Sequence, residues 1–277
     1  MSRLKGKVAL VTGAARGQGR SHVLRLASEG VHIIAIDRCA SYDTVPYPMA
    51  TPADLKNVAE EARALGVQVV SHQTDITNRA ELTAAVDDAR AQLGPIEIVV
   101  ANAGIIQWGK KFWEWDDQSW DDTMDVNLRG AWHTCAAVAP SMIEAGRGGS
   151  IIVTASVAGL EASPGLLPYT VAKHGVIGLV RCMAAELGEY SIRVNAIAPS
   201  TVDTDMINNP SLFNLFRPDL EEPTREDTVE IFRSLVVLPR PWLEASEVSD
   251  MVAYLASDSA RSITGTTIPI DLGKALK

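Results

Sequence analysis

Cysteine is scarce in this chain. Cys39, Cys135 and Cys182 form an odd, scattered set, and none sits at a spacing that would hold a metal. They read as reduced thiols, which argues against a disulfide scaffold and for a cytoplasmic location. Long apolar runs are also lacking. No stretch is long enough to span a bilayer, and no N-terminal segment has the character of a signal peptide. Positive charge is in deficit, with 25 Lys and Arg against 34 Asp and Glu and a formal net charge of −9. That balance disfavours nucleic acid and anionic membrane as partners. With no internal repeat, low-complexity tract or linker, residues 1–277 read as one domain.

What is present is an alternation of strands and helices. Val8 to Val11 is a short, β-branched apolar run of the buried parallel-strand kind. It stops at Thr12-Gly13, and from Gly17 to Gly19 the pattern turns helical, with Val23, Leu24, Leu26 and Ala27 as the apolar stripe. Strand, glycine turn and helix together aim unpaired backbone N–H groups at a pyrophosphate. The spacing is Gly13, Gly17, Gly19, with Arg16 and Gln18 interleaved, and is not the G-x-G-x-x-G fingerprint. A second strand, Val31 to Ile36, closes on Asp37. An acid there reads the ribose 2′-hydroxyl of NAD and repels the 2′-phosphate of NADP. Without the glycines Asp37 would read as a solvated acid beginning a loop. Arg38, next in the chain, is the residue that would instead court a phosphate.

Further strands fall at Val67 to Gln73, Ile96 to Val100, Ser150 to Ala155, Ile192 to Ile197 and Thr266 to Asp271. Helices separate them: Asp54 to Leu65, Asn78 to Leu93, a long one reaching Ala145 that includes Asn127, Tyr169 to Gly188, and Trp242 to Ser257. The pattern predicts an α/β fold, one doubly wound parallel sheet of about seven strands with helices on both faces. Two stretches carry no periodic pattern. Residues 38–51, with Tyr42, Pro46, Tyr47 and Pro48, predict an ordered lid beside the adenosine end of a cofactor, followed by Thr51-Pro52 as a helix cap. Residues 205–241 read as irregular, with scattered prolines and apolar side chains. Ile105 to Trp120 holds Trp108, Trp113, Trp115 and Trp120, which fill gaps around a loop or, for at least one, wall an apolar pocket.

Tyr169 and Lys173, four apart on a helix, share one face, a spacing common by chance. Here Ser156 stands at a strand end thirteen residues before the tyrosine, and Asn102-Ala103-Gly104 directly follows the fourth strand. With Thr12-Gly13-x-x-x-Gly17-x-Gly19 these elements resemble the short-chain dehydrogenase/reductase family, a single-domain Rossmann-type fold. The resemblance implies Tyr169 as acid/base, Ser156 on the substrate oxygen, and Lys173 on the ribose hydroxyls. It implies Asn127 as the orderer of a water linking Lys173 to solvent. It assigns Asp75 to the adenine amino group, Ile76 to the ring, Asn102, Ala103 and Gly104 to the ribose, and Val202 and Thr204 to the nicotinamide carboxamide. Ser200 stands where the family usually has glycine. Residues 205–241 become a substrate lid, with Met206, Phe213, Trp242, Trp108 and Ser156 about the pocket. A tyrosine hydroxyl, whose ordinary pKa is about 10, can serve only if that pKa is drawn down by Lys173 and an oxidised nicotinamide. Cofactor and tyrosine carry hydride and proton, so no metal is required.

A closer resemblance rests on Gly13-Ala-Ala-Arg-Gly-Gln-Gly-Arg-Ser-His22, Tyr47-Pro-Met-Ala-Thr-Pro52, Glu144-Ala-Gly-Arg-Gly-Gly149 and Phe216-Arg-Pro-Asp-Leu220. These are similar to the mycofactocin-dependent, carveol dehydrogenase-like branch of the family. That implies NAD held as a prosthetic group and reoxidised by mycofactocin, an apolar, terpenoid-like secondary alcohol such as carveol, and a homotetramer. A 3-oxoacyl thioester reductase is the enzymatic alternative, which Asp37 weakens because such reductases usually take NADPH. A non-enzymatic dinucleotide sensor is the other, disfavoured by the intact set Asn127, Ser156, Tyr169 and Lys173.

Overall fold

The computed structural model describes residues 4–277. Its strands are β1 (Val8–Thr12), β2 (His32–Asp37), β3 (Val69–Gln73), β4 (Ile98–Ala101), β5 (Gly149–Thr154), β6 (Ile192–Pro199) and β7 (Thr267–Ile270). They form one seven-stranded sheet in the order β3-β2-β1-β4-β5-β6-β7. All pairings are parallel, with Leu10 of β1 opposite Ile34 of β2 and Val99 of β4. Strand order reverses between β1 and β4, which opens a crevice beyond their C-terminal ends.

Successive side chains of a strand point to opposite faces, so the apolar runs feed two cores. Ala9, Val11, Ile33 and Val100 meet Val23 and Leu26 of α1 (Gly17–Ser28). On the other face Leu10, Ile34 and Val99 meet Leu82 and Val86, while α2 (Pro52–Ala64) joins the first core through Leu55 and Val58. Leu82 and Val86 belong to α3 (Arg79–Leu93), capped by Asn78, whose Oδ1 accepts the Glu81 N–H at 3.4 Å.

The long helix expected through Asn127 is broken in three. α4 (Asp117–Met124) passes into a π-helical turn, Asp125–Gly130, before α5 (Ala131–Ala145) resumes. Asn127 lies in that turn. Such widened turns recur at functional sites because they re-aim a side chain. After α6 (Leu167–Leu187), the stretch 205–241 is not irregular as expected. It contains α7 (Pro210–Phe216) and α8 (Arg225–Ser234) before α9 (Ala245–Ala256). Both are short, so the apolar period is faint, but both are capped. Asn209 Oδ1 accepts the Leu212 N–H at 3.0 Å, and Thr224 with Asp227 forms a reciprocal box. The helical region expected from Trp242 begins three residues later, at Ala245.

Segment 38–51 has no regular element yet is tied down along its length. Thr44 Oγ1 donates to Asp122 Oδ2 at 2.6 Å, and the buried Tyr47 hydroxyl accepts the Ile106 N–H at 3.0 Å. Thr51 caps α2 in a box with Asp54, as the sequence predicts. No helix among the described residues is long and apolar enough to cross a membrane. The three cysteines are free, with Cys39 and Cys135 buried and Cys182 exposed.

Leu10 is fully buried at the centre of the sheet. Leu10→Ala is therefore expected to lose about 2–5 kcal/mol of stability, read as a lower urea midpoint at unchanged slope.

Candidate active site

A cavity of about 550 Å³ follows the C-terminal ends of the strands. At its floor the glycine turn meets the end of β4 backbone to backbone. A Cβ on Gly13 (φ +63°) would lie 2.8 Å from Ala103 Cα, and one on Gly19 would lie 1.8 Å from the Gly13 carbonyl oxygen. No larger residue fits either place. Arg16 is the N-cap of α1, without a side-chain cap bond and with no acid in the first turn. The unpaired N–H groups there face the cavity as an anion site.

The acids expected at the adenosine end are fixed by their surroundings. Asp37 accepts the Ala15 N–H at Oδ2 (3.0 Å) and the Cys39 N–H at Oδ1 (2.9 Å). Asp75 accepts the N–H and hydroxyl of Thr77 at 2.9 and 2.8 Å. Its other oxygen pairs with Arg38 Nε at 3.1 Å, and the Arg38 guanidinium lies 3.7 Å above the Tyr42 ring. Arg38 is thus paired through Nε and stacked on a ring, while its buried Nη1 has no hydrogen-bond partner. Burial raises the Tyr42 phenol to about 12, so it stays protonated.

At the other end α6 presents Tyr169 and, one turn on, Lys173. Lys173 Nζ lies 5.5 Å from the Tyr169 ring centroid and donates to the Thr154 carbonyl at 2.7 Å. Ser156 caps the short 3-10 turn Val157–Gly159, accepting the Ala158 N–H at 3.2 Å, and its hydroxyl hydrogen-bonds Tyr169. Asn127 is buried. Its Oδ1 accepts the Ile105 N–H at 2.8 Å and its Nδ2 donates to the Ile105 carbonyl at 2.7 Å. That clamp holds the chain after β4 in place. A Cβ on Gly104 would lie 3.2 Å from Asn127 Oδ1 and 3.6 Å from Lys173 Nζ, so Gly104 keeps the two within one small space.

The protein's own groups do not draw the tyrosine pKa down as expected. Burial pushes Tyr169 above its ordinary value, opposed in part by the Ser156 hydrogen bond. Burial also pushes the Lys173 ammonium down, to about 8. Both shifts have one physical cause, the loss of water around a group that must carry charge.

Every residue expected to hold the cofactor lines this cavity: Gly13, Arg16, Gly17, Gln18, Gly19, Asp37, Arg38, Asp75, Ile76, Asn102, Ala103, Gly104, Tyr169, Lys173, Val202 and Thr204. Ser200 lines it too and is absent from the residues of positive φ, so the missing glycine costs no backbone strain. Of the residues expected about the substrate, Trp108, Ser156 and Met206 line the cavity. Phe213 and Trp242 do not. On α7 the cavity face carries Leu212, Leu215 and Phe216, at helical spacing, and Phe213 falls off that stripe. Trp242 is covered by the Arg225 guanidinium at 4.4 Å and meets the edge of Phe232 at 6.0 Å. Phe232 and Leu235 of the α8 region and Lys274 near the C-terminus also line the cavity, none of them expected from the sequence. Recognising the Thr224–Asp227 cap would have flagged α8, whereas Lys274 carries no local signal.

The lid segment reaches further than the adenosine end. Arg16 donates to the Pro48 carbonyl and contacts Met49 Sδ at 3.2 Å, and its guanidinium lies 5.5 Å over Tyr47. Tyr47 in turn stacks on Trp108, with centroids 5.7 Å apart and planes within 13°. One continuous strap therefore runs from Asp37 past the glycine turn to the wall of the apolar pocket.

Comparison with known proteins agrees with this geometry. The short chain dehydrogenase family model matches residues 7–212. The chain is 46% identical over 276 residues to a putative short-chain type dehydrogenase/reductase of Mycolicibacterium smegmatis, covering 99% of each. It is 42% identical over 277 residues to (-)-trans-carveol dehydrogenase of Rhodococcus erythropolis, covering 100% of each. Among solved structures, carveol dehydrogenase of Mycobacterium avium in complex with NAD superposes with a TM-score of 0.99 at 47% identity, over 100% of both chains. A strand-end glycine turn, a serine and an intact Tyr-Lys pair on one cavity wall, and these matches lead to one assignment: the chain belongs to the short-chain dehydrogenase family.

Proposed function

We propose that this protein oxidises an apolar, terpenoid-like secondary alcohol of the carveol kind to its ketone, with NAD as the hydride acceptor. The observation that carries this is the placement of Tyr169 and Ser156, hydrogen-bonded to each other, where the apolar side chains of α7 and α8 close one end of the cavity. Bound in the crevice, NAD supplies a hydride acceptor and, in its oxidised form, a positive charge beside the tyrosine. The chain's residues do the rest. Ser156 and Tyr169 hold the substrate oxygen, and Tyr169 takes the hydroxyl proton as the carbinol carbon gives up its hydride. Lys173 holds the neighbouring ribose hydroxyls, and Asn127 orders the water that links Lys173 to solvent. Asp37 favours NAD, since its carboxylate would oppose a 2′-phosphate. The same acid disfavours an NADPH-linked 3-oxoacyl thioester reductase, and the complete Asn127, Ser156, Tyr169 and Lys173 set disfavours a dinucleotide sensor.

The strap over residues 38–51 extends the proposal. Clasped by Arg16 and stacked through Tyr47 on Trp108, it holds NAD between turnovers, and mycofactocin reoxidises the bound NADH. The sequence resemblance supports that acceptor, a homotetramer and a cytoplasmic location. Exposed apolar side chains such as Trp132 and Val237 are in keeping with an oligomer.

Given an accepted alcohol such as carveol, the purified protein is expected to reduce its bound NAD once and stall, followed by absorbance. An artificial electron acceptor restarts it. Shortening Ser41–Ala50 to a brief turn restores exchange with free NAD. Brisk reduction of free NAD by the intact chain would refute the retention.

Tyr169→Phe keeps the ring but removes the acid/base. Single-turnover hydride transfer is expected to fall ~10²–10⁴-fold with NAD affinity nearly unchanged. A near-wild-type rate would mean that another group carries the proton.

On this proposal Tyr169 and Lys173, one helical turn apart and both buried, act as a pair that must lose one proton before oxidation. With Lys173 held down to about 8 by burial, the oxidation rate rises with pH through that region and is lost below it. In Lys173→Met the tyrosine, itself raised by burial, titrates alone, so the rising limb moves to higher pH. Superimposable pH–rate profiles for the two proteins would contradict this.

A further inference from the structure

We propose that Lys274 sets the size limit of the substrate pocket: its stem walls the cavity while its ammonium, paired with Glu161, latches the end of α8 to the loop that begins at Ser156. Lys274 follows β7 and opens a short 3-10 turn, Lys274–Leu276, yet it lines the cavity. The chain arrives there by a reversal in which Leu272 (φ +55°) and Gly273 (φ +80°) are both left-handed. Leucine is strained in that conformation, and such strain persists only where the surroundings over-determine it. Here they do. Leu272 is buried, and its carbonyl accepts the N–H groups of Val237 and Leu238 at 2.9 and 3.0 Å. A Cβ on Gly273 would lie 2.8 Å from Val237 Cβ. Asp271 accepts the Gly273 N–H at Oδ1 (2.9 Å) and the Ala275 N–H at Oδ2 (2.8 Å). Lys277 Nζ donates to the Ser234 carbonyl at 2.7 Å. The C-terminal turn is thus seated on the end of α8 and forms one unit with it.

From that seat the Lys274 ammonium crosses to another part of the wall. It donates to Glu161 Oε1 at 2.5 Å, with both side chains partly buried. Glu161 does not itself line the cavity. It ends a run of tight turns that starts at Ser156. The Ser156 carbonyl accepts the Gly159 N–H at 2.9 Å, and the Val157 carbonyl accepts those of Leu160 and Glu161 at 2.8 and 3.0 Å. Beyond it, Ser163 to Leu166 line the cavity on the way to Tyr169. A lysine can stand in an apolar wall because its stem is hydrocarbon and its charge sits at the far end. Where water is scarce that charge must be matched, and Glu161 matches it. This one side chain bridges the α8 unit and the serine loop, so its length sets how closely the two approach. Shortening it opens that end of the pocket to a larger alcohol. The size limit rests on the alcohol reading above; the latch does not.

Two measurements test this, both on the full chain. The first is amide hydrogen exchange at Gly159–Glu161 and Gly273–Leu276, with no alcohol added. Lys274→Met and Glu161→Ala are each expected to speed exchange there about two- to fivefold. The double variant exchanges no faster than the singles, because one interaction is lost in all three. Unchanged exchange in both singles, or additive effects in the double, would overturn the latch. The second follows reduction of NAD by the loaded protein over a range of cyclohexanol or 4-phenylcyclohexanol concentrations. Lys274→Ala is expected to raise the preference for the larger alcohol about tenfold, through its half-saturating concentration rather than its limiting rate. A loss shared equally by the two alcohols would mean that the pair only supports the fold, and an unchanged preference that the wall stands elsewhere. Either result overturns the size limit. If the intact chain oxidises neither alcohol, the alcohol reading fails and takes the size limit with it, while hydrogen exchange still decides the latch.

Discussion

The site depends on a contact between two backbones. Gly13, leaving β1, and Ala103, leaving β4, approach so closely that a single Cβ on Gly13 would fall 2.8 Å from the Ala103 Cα. That approach is possible because β1 and β4 are adjacent in the sheet while their chains turn to opposite sides. The crevice between them sets the anion-binding start of α1 beside the strand ends that carry Asn102, Thr154 and Ser156. A Cβ on Gly13 would separate the halves of the site before touching any catalytic group.

Around that contact the protein buries polar groups and satisfies them with backbone. Lys173 rests on the Thr154 carbonyl, Asn127 on both backbone groups of Ile105, and Asp37 on two N–H groups. Backbone partners cannot rotate away, so each side chain is held where a flexible partner would let it drift. Burial makes the charged forms of Tyr169 and Lys173 costly, and each becomes easier to form when the other, or a cationic ring, lies close by. The acid/base chemistry therefore responds to what occupies the cavity.

The sheet was legible because buried parallel strands are short β-branched runs bounded by glycine or acid, and each appeared in its expected place. The cofactor-side residues were legible because they sit at the ends of those apolar runs, where the family resemblance assigns their roles. The substrate end was not. Phe213 and Trp242 are as apolar as Phe216 and Phe232, and only the helical phase of α7 and the Arg225 cover on Trp242 separate those that face the cavity from those that do not. The π-helical turn at Asn127 was hidden because one extra residue per turn leaves no mark on composition. Tyr47 lies next to the glycine turn and Trp108 only in three dimensions, so its span across the cavity could not be read from neighbours in sequence.

On the function proposed above, the crevice holds NAD, selected at Asp37 and retained by the strap of residues 38–51. The most direct test is to denature the protein as purified, without added nucleotide, and identify what is released by mass spectrometry. Release of NAD or NADH, close to one per chain, is the predicted result. NADP as the main nucleotide, or protein that carries none yet binds and loses NAD rapidly, would contradict it.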